Sequence, residues 1–171
     1  MVSGPEFKDS SAFKDGDNTF FETAFDAAID RAWLTFRCEL ADQLDRMRAR
    51  DPIKVYSLWT EMFGPQPDVR FTLTGNNRLR LTIEERSLYP YQPEIDARIE
   101  LLEAQEWRSL RDETCIREFN SRSVDAAAMA AQFAFREVWG IPDPTYLVSE
   151  ECELLHTFVA PYAALREPKM R

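Results

Sequence analysis

The single histidine of the chain, His156, lies four residues after Cys152, and this pair is the first candidate for chemistry. On a helix, two residues at this spacing share a face, and a thiol beside an imidazole can hold a metal ion or form an activated nucleophile. Two ligands do not complete a zinc site, and the pair has no third group that would orient the imidazole. The spacing therefore favours an ordinary surface or packing pair, and we predict no metal site.

Other signatures of catalysis and cofactor binding are missing from the sequence. The 171 residues contain no phosphate-binding loop, dinucleotide-binding glycine pattern, nucleophile elbow, paired-histidine zinc motif or calcium-binding loop. Adjacent acids such as Glu150 and Glu151 are explained more simply as solvated ends of elements. We predict a protein that is not an enzyme and binds no cofactor. The alternative, a small enzyme that uses Cys152 and His156 or a carboxylate pair, stays open.

Charge and composition further limit the classes of function and partner that fit the sequence. The chain has 30 acidic and 21 basic residues, a formal net charge of −9, whereas nucleic-acid binding depends on clustered lysine and arginine. A basic or apolar partner and simple solubility account for this acidity equally well. Three distant cysteines without a CxxC motif indicate a reducing cytosol. Without an apolar run of 18 residues or a secretory pattern at the start, we expect a cytoplasmic protein that does not insert into membranes.

The domain organisation follows from length and local composition. With 171 residues, 44 % of them hydrophobic, we predict one domain over residues 19–148. Residues 1–18 are polar and indicate a flexible tail, in which residues 4–7 could derive from a vector. Residues 149–171 are predicted as a C-terminal helix and tail, with the helix over residues 149–159.

The first predicted helix has the clearest pattern. Thr19 and Glu22 form a capping-box pattern, and apolar residues then recur at steps of three and four as far as Met47. Asp51 and Pro52 are predicted to end it, because proline disfavours the helical conformation just before it. A helix of this length must lie across a sheet or meet another chain.

Two further helices are predicted. Pro93 suits the first turn of the second helix. The third is rich in alanine and runs from Ser123, as its N-cap, to Trp139. Gly140 and Pro142 then stop it.

Alternating apolar and polar residues predict the strands. Residues 53–59 form one candidate, and residues 69–74 and 78–84 form a hairpin around the turn at 75–77. A return strand is expected near 114–120, and a fifth strand is expected within residues 107–113. This order predicts an α+β fold in which helices pack on an antiparallel sheet as a two-layer sandwich.

The second half of the chain carries a recognisable pattern: a leucine, a Trp-Arg pair, a phenylalanine, then an Ala-rich helix that ends in a Gly-x-Pro-x-Pro stop. This pattern resembles the YbjN-like families related to type III secretion chaperones, and most of all the actinobacterial branch called TY-Chap. Two positions depart from it: Glu106 stands where the family usually has glycine, and Asp143 where it often has histidine. The matching residues are Leu102, Trp107, Arg108, Phe119, Arg136, Glu137, Val138, Trp139, Gly140, Pro142, Pro144, Tyr146 and Leu147.

The resemblance implies the secretion-chaperone fold, with the order α-β-β-β-α-β(-β)-α. It also implies a homodimeric, chaperone-like module that holds a segment of a client protein on apolar surface, without chemistry of its own. A dimeric scaffold or regulatory subunit for one folded partner is the alternative. From the exposure that the strand pattern predicts, the candidate client contacts are Trp59, Met62, Phe63, Arg70, Arg78 and Arg80. An ordinary solvated sheet face and core packing under the loop explain the same residues without a function.

Overall fold

The computed structural model describes residues 16–59, 64–90, 92–151 and 154–158. It confirms the α+β class, with three α-helices and one antiparallel sheet in this part of the chain. The third helix continues as a π-helical turn over Ala134–Val138. The elements in chain order are α1 (Gly16–Arg46), β1 (Ile53–Ser57), β2 (Asp68–Thr74), β3 (Arg78–Glu84), α2 (Gln92–Glu103), β4 (Arg108–Ser109), β5 (Thr114–Asn120), α3 (Val124–Phe133), β6 (Leu147–Glu151) and β7 (Leu154–Thr157).

The described strands form one sheet in the order β4-β5-β3-β2-β1-β6-β7. The predicted hairpin is present, with Phe71 opposite Leu81. Its turn uses a left-handed residue at Asn77, whose φ is 55°. The strand predicted within residues 107–113 is also present, but β4 is only two residues long and pairs with just the first half of β5.

One face of the sheet forms the core. Ile53, Phe71 and Leu81 are neighbours across β1, β2 and β3, and all three are fully buried. They pack in one cluster with Trp33 of α1 and Phe135 after α3. The alternation of the strands puts their polar residues on the opposite face, so the helices and the sheet form the two predicted layers.

Alanine residues position α3. Ala127, Ala128 and Ala131 are fully buried, and α3 contacts α1 as well as strands β3 and β5. Small side chains allow a helix to approach its neighbours closely. The indole N–H of Trp139 donates to the backbone oxygen of Ser87 at 2.9 Å, which joins the end of this helical segment to the connection between β3 and α2.

The C-terminal helix predicted over residues 149–159 is wrong. β6 pairs with β1 and β7 pairs with β6, so the sheet continues past residue 148. A short apolar run does not distinguish a strand from a helix by itself, and the free backbone groups of β1 supplied a partner. His156 therefore lies on a strand, opposite Ser149, whereas Cys152 lies outside the described residues.

The first helix differs from its prediction at both ends. It begins at Gly16, before the predicted cap at Thr19, so residues 16–18 are helical and not part of a tail. It ends at Arg46, before Asp51, and Met47 closes the last turn with a hydrogen bond to the Leu44 oxygen. The rest of the predicted tail, residues 1–15, lies outside the described residues. None of the described helices is long and apolar enough to span a membrane.

Candidate functional site

Two of the predicted contact residues, Arg78 and Arg80, both contact Glu118. Arg80 donates from Nε to Oε1 of Glu118 at 2.8 Å, and its terminal nitrogen lies 2.7 Å from the same oxygen. Because Arg80 donates this hydrogen bond, the pKa of Glu118 is held below its usual range. A terminal nitrogen of Arg108 lies 3.7 Å from Oε2, and Arg78 donates to the Glu118 backbone oxygen at 3.4 Å.

The same stretch of β5 is an open sheet edge. β4 pairs only with Cys115 and Ile116, so residues 117–120 have no strand partner on that side among the described residues. Leu110 N–H donates to the Thr114 oxygen from the β4 side. Since backbone groups alternate in an antiparallel strand, those of Ile116, Glu118 and Asn120 point to this edge as well.

A second ion pair lies beside this edge. Arg117 is largely buried, with 18 % of its side chain exposed, and it donates to the exposed carboxylate of Glu106 at 2.8 Å. Its guanidinium group also lies 5.0 Å from the centre of the Phe119 ring. Glu106 has a left-handed backbone with φ of 64°, which turns the chain between α2 and β4.

These side chains enclose a groove of about 680 Å³ along the end of β5, which we call the β5 groove. Its lining contains four arginines and two glutamates, two positive charges in excess, on a chain whose net charge is −9. Of its nine lining residues the sequence predicted only Arg78 and Arg80 as contacts, because it is the pairing of β3 with β5 that brings Glu118 opposite Arg80. The groove is lined by Thr74, Asn76, Arg78, Arg80, Glu106, Arg108, Arg117, Glu118 and Phe119.

Trp59 lies far from the β5 groove. Lys54 of β1, Arg70 of β2 and Thr82 of β3 lie side by side across the sheet, and β1 and β3 run in the same direction. Trp59 lies five residues after Lys54, whereas Arg80 lies two residues before Thr82. The two residues are therefore separated by roughly 20 Å along the strand direction. The Trp59 side chain is 42 % exposed, and its ring packs edge-on against that of Tyr146 at 5.0 Å.

The remaining predicted contacts do not join either group. Arg70 is exposed on β2, opposite Lys54 of β1 and Thr82 of β3. Met62 and Phe63 lie outside the described residues. The six predicted contacts are therefore not one cluster in the part of the chain that the structure describes.

A second cleft, of about 430 Å³, lies between α1 and the strands β6 and β7. His156 Nε2 is 3.2 Å from a carboxylate oxygen of Glu39, and the Ser149 hydroxyl donates to Gln43 at 2.7 Å. This arrangement orients an imidazole that is about half exposed. Across residues 16–59, 64–90, 92–151 and 154–158, no three His, Cys, Asp or Glu side chains converge as a metal site would require.

Comparison with protein families assigns the fold. The model of TY-Chap3, described as "T3SS (YopN, CesT) and YbjN peptide-binding chaperone 3", matches residues 26–153. The chain belongs to this family. The match covers all three helices in most of their length and six of the seven described strands. The searches of curated proteins and of solved structures give no significant match.

The residues of the TY-Chap pattern have clear structural roles. Leu102 of α2 and Trp107, which follows this helix, are buried in the core. Gly140, with φ of 68°, ends the third helical segment in a left-handed conformation. Asp143 accepts a hydrogen bond from Thr145 N–H at 2.8 Å and caps a short turn before β6. Glu106 replaces the usual glycine at a position whose φ is positive, so glycine suits this backbone better than glutamate does.

Proposed function

We propose that this protein is a non-enzymatic, cytoplasmic chaperone that holds an extended segment of one client protein against its sheet. The observation that carries this proposal is the match of residues 26–153 to a family of peptide-binding chaperones. A module of this kind needs accessible sheet surface, because an extended segment binds through backbone pairing and alternate side-chain contacts.

The distribution of exposed residues supports this role. Arg70, Arg78 and Arg80 lie on the face of the sheet opposite the core, and the described helices pack on the core face. Trp59 and Tyr146 add an exposed aromatic pair at the other end of the strands. Aromatic and arginine side chains are enriched in protein interfaces. We propose both groups as client contacts, together with Met62 and Phe63.

We also propose that the protein forms a homodimer through its helical layer. Phe25 and Leu34 of α1 are 66 % and 48 % exposed, and Met129 of α3 is 53 % exposed. Arg37 donates to the sulfur of Met129 at 3.9 Å, so α1 and α3 lie side by side in this layer and each has an exposed apolar side chain. A dimeric scaffold for a folded partner would use the same surface.

The test is a pull-down with the tag-free protein, followed by light scattering on the eluted complex and mapping of the retained partner. A chaperone should bind the isolated, unfolded segment of that partner at one segment per protomer. Trp59→Ala with Phe63→Ala should weaken this binding, whereas Leu101→Ala, which truncates a residue 46 % exposed on α2, should not. A partner that binds only when folded would refute the chaperone role and favour the scaffold.

A further inference from the structure

The end of β5 has no strand partner on one side among the described residues, and a further strand has room to pair there. Glu118 and Asn120 direct backbone groups to an edge that β4 leaves uncovered. The Asn120 oxygen accepts a bond from Ser123 N–H at 2.8 Å, and the Glu118 oxygen accepts one from the Arg78 side chain at 3.4 Å. The Glu118 N–H, the Asn120 N–H and the second lone pair of the Glu118 oxygen face the β5 groove. Exposed backbone groups of this kind pair readily with an incoming strand.

Charge selects among possible strands. The guanidinium groups lie on both sides of β5. Arg80 and Arg108 lie at the Glu118 carboxylate and Arg78 at its backbone oxygen, whereas Arg117 lies beside Glu106. The two glutamates offset half of this charge, and the excess is positive in a chain of net charge −9. A segment rich in lysine would meet repulsion here, whereas carboxylates would find donors at the edge.

The side chains of β5 define the pattern that such a segment would need. Successive residues of a strand face opposite sides, and alternate residues on one side are roughly 7 Å apart. Acids at alternate positions would therefore lie on one side of the sheet, the side on which the register places Arg78 and Arg108. The residues between them would meet the Phe119 ring on the other side, where apolar or threonine side chains fit.

We propose that the β5 groove is the site at which an acidic client segment adds as an eighth strand, with carboxylates at alternate positions toward Arg78 and Arg108 and backbone pairing to Glu118 and Asn120. This inference rests on the proposed chaperone function and adds its location and the chemistry of the client. It concerns the end of the strands remote from Trp59, so the two proposed contacts are tested independently.

The test uses fluorescence anisotropy with labelled peptides of about ten residues, long enough for one strand. One peptide has glutamate at alternate positions with threonine and valine between, and matched peptides have glutamine or lysine instead. The glutamate peptide should bind at least about fivefold more tightly than the glutamine peptide, since each exposed charge pair contributes about two- to fivefold. The lysine peptide should not bind, and added salt should weaken the glutamate peptide selectively.

Variants locate the binding. Arg78→Gln combined with Arg108→Gln should weaken the glutamate peptide by about five- to twentyfold. Arg48→Gln removes one arginine from an exposed position outside the groove. Apart from the effect of the changed net charge, it should alter the affinity for the glutamate peptide less than twofold. If the double variant unfolds, Arg108→Gln alone serves, because that side chain is 67 % exposed and its contact with Glu118 is long.

Backbone pairing is tested by N-methylation of the glutamate peptide at either its odd or its even positions. Strand addition places the N–H groups of only one set against β5, so one methylated peptide should lose binding and the other should keep it. Equal effects of both sets, equal binding of glutamate and glutamine peptides, or no binding of the glutamate peptide would overturn the inference. Loss of peptide binding on dimerisation would also overturn it by assigning the edge to a second copy. Retained capture of a client segment in any of these cases would leave the chaperone proposal standing.

Discussion

Replacing Gly140 with alanine isolates the energetic cost of one left-handed residue. Gly140 ends the third helical segment with φ of 68°, and a Cβ atom built there has no heavy atom within 4 Å. Crowding therefore contributes nothing, and the cost arises from the backbone alone. A residue with a Cβ loses about 1–2 kcal/mol in this conformation.

Gly75 provides the matched control. It also leaves open space for a Cβ atom, but its φ lies outside the left-handed region. Both substitutions reduce the conformational freedom of the unfolded chain, which favours the folded state by about 0.4–1 kcal/mol. We expect Gly75→Ala to be neutral or stabilising by up to this amount, and Gly140→Ala to be destabilising by about 1 kcal/mol. The difference between the two variants, in which the contribution of the unfolded chain cancels, should be about 1–2 kcal/mol.

The measurement is urea unfolding of both variants and the parent, followed by circular dichroism. The slope of the free energy against urea should stay the same while the midpoint moves, and Gly140→Ala should lower the melting temperature by about 2–4 °C. Gly140→Asn should recover part of the loss, because asparagine tolerates the left-handed region better than alanine does. If the two alanine variants are equally stable, Gly140 is not left-handed in solution and the reasoning is wrong.

Three further predictions follow from individual residues. Glu106→Gly should change the free energy of unfolding, measured by urea titration, by less than about 1 kcal/mol. The reason is that glycine relieves the positive φ at this position, which offsets the lost ion pair with Arg117. Glu106→Val should be clearly more destabilising in the same titration. The pKa of Glu118 is lower in the folded state than in the unfolded chain. Ionised Glu118 therefore stabilises the fold at pH values above the pKa that this residue has in the unfolded chain. The stabilisation is lost as the pH falls through its pKa in the folded state. The free energy of unfolding of Glu118→Gln should therefore fall less than that of the parent when urea titrations at neutral and acidic pH are compared. Equal decreases for the variant and the parent would contradict this prediction. In a Cys152→Ser variant, a thiol reagent should modify Cys38 quickly and Cys115 only when the protein unfolds. The reason is that Cys115 is buried and burial raises the pKa of its thiol. Equally fast modification of both thiols would refute this prediction.

Local patterns predicted those elements whose signals are complete within a short stretch. The hairpin of β2 and β3 was predictable because both strands alternate regularly and the turn contains residues that tolerate positive φ. The end of the third helical segment was predictable because Gly140 and Pro142 act on the backbone directly.

The C-terminal strands and the β5 groove were not predictable in this way. Residues 154–158 contain adjacent apolar residues that fit a helix or a strand, and only pairing with β6 decides between them. The groove joins Arg78, Arg108 and Glu118 from three separate strands. Their proximity depends on the sheet order, which no local pattern specifies.

The sequence by itself therefore determined the class of fold, the family pattern and the elements with strong periodicity, because these depend on backbone preferences and on apolar spacing within one segment. Only the tertiary structure decided that Trp59 lies far from Arg80, that β4 covers only part of β5, and that arginines from different strands surround Glu118. The physical reason is that strand pairing joins residues remote along the chain. It also leaves uncovered the edge where a client strand is proposed to bind.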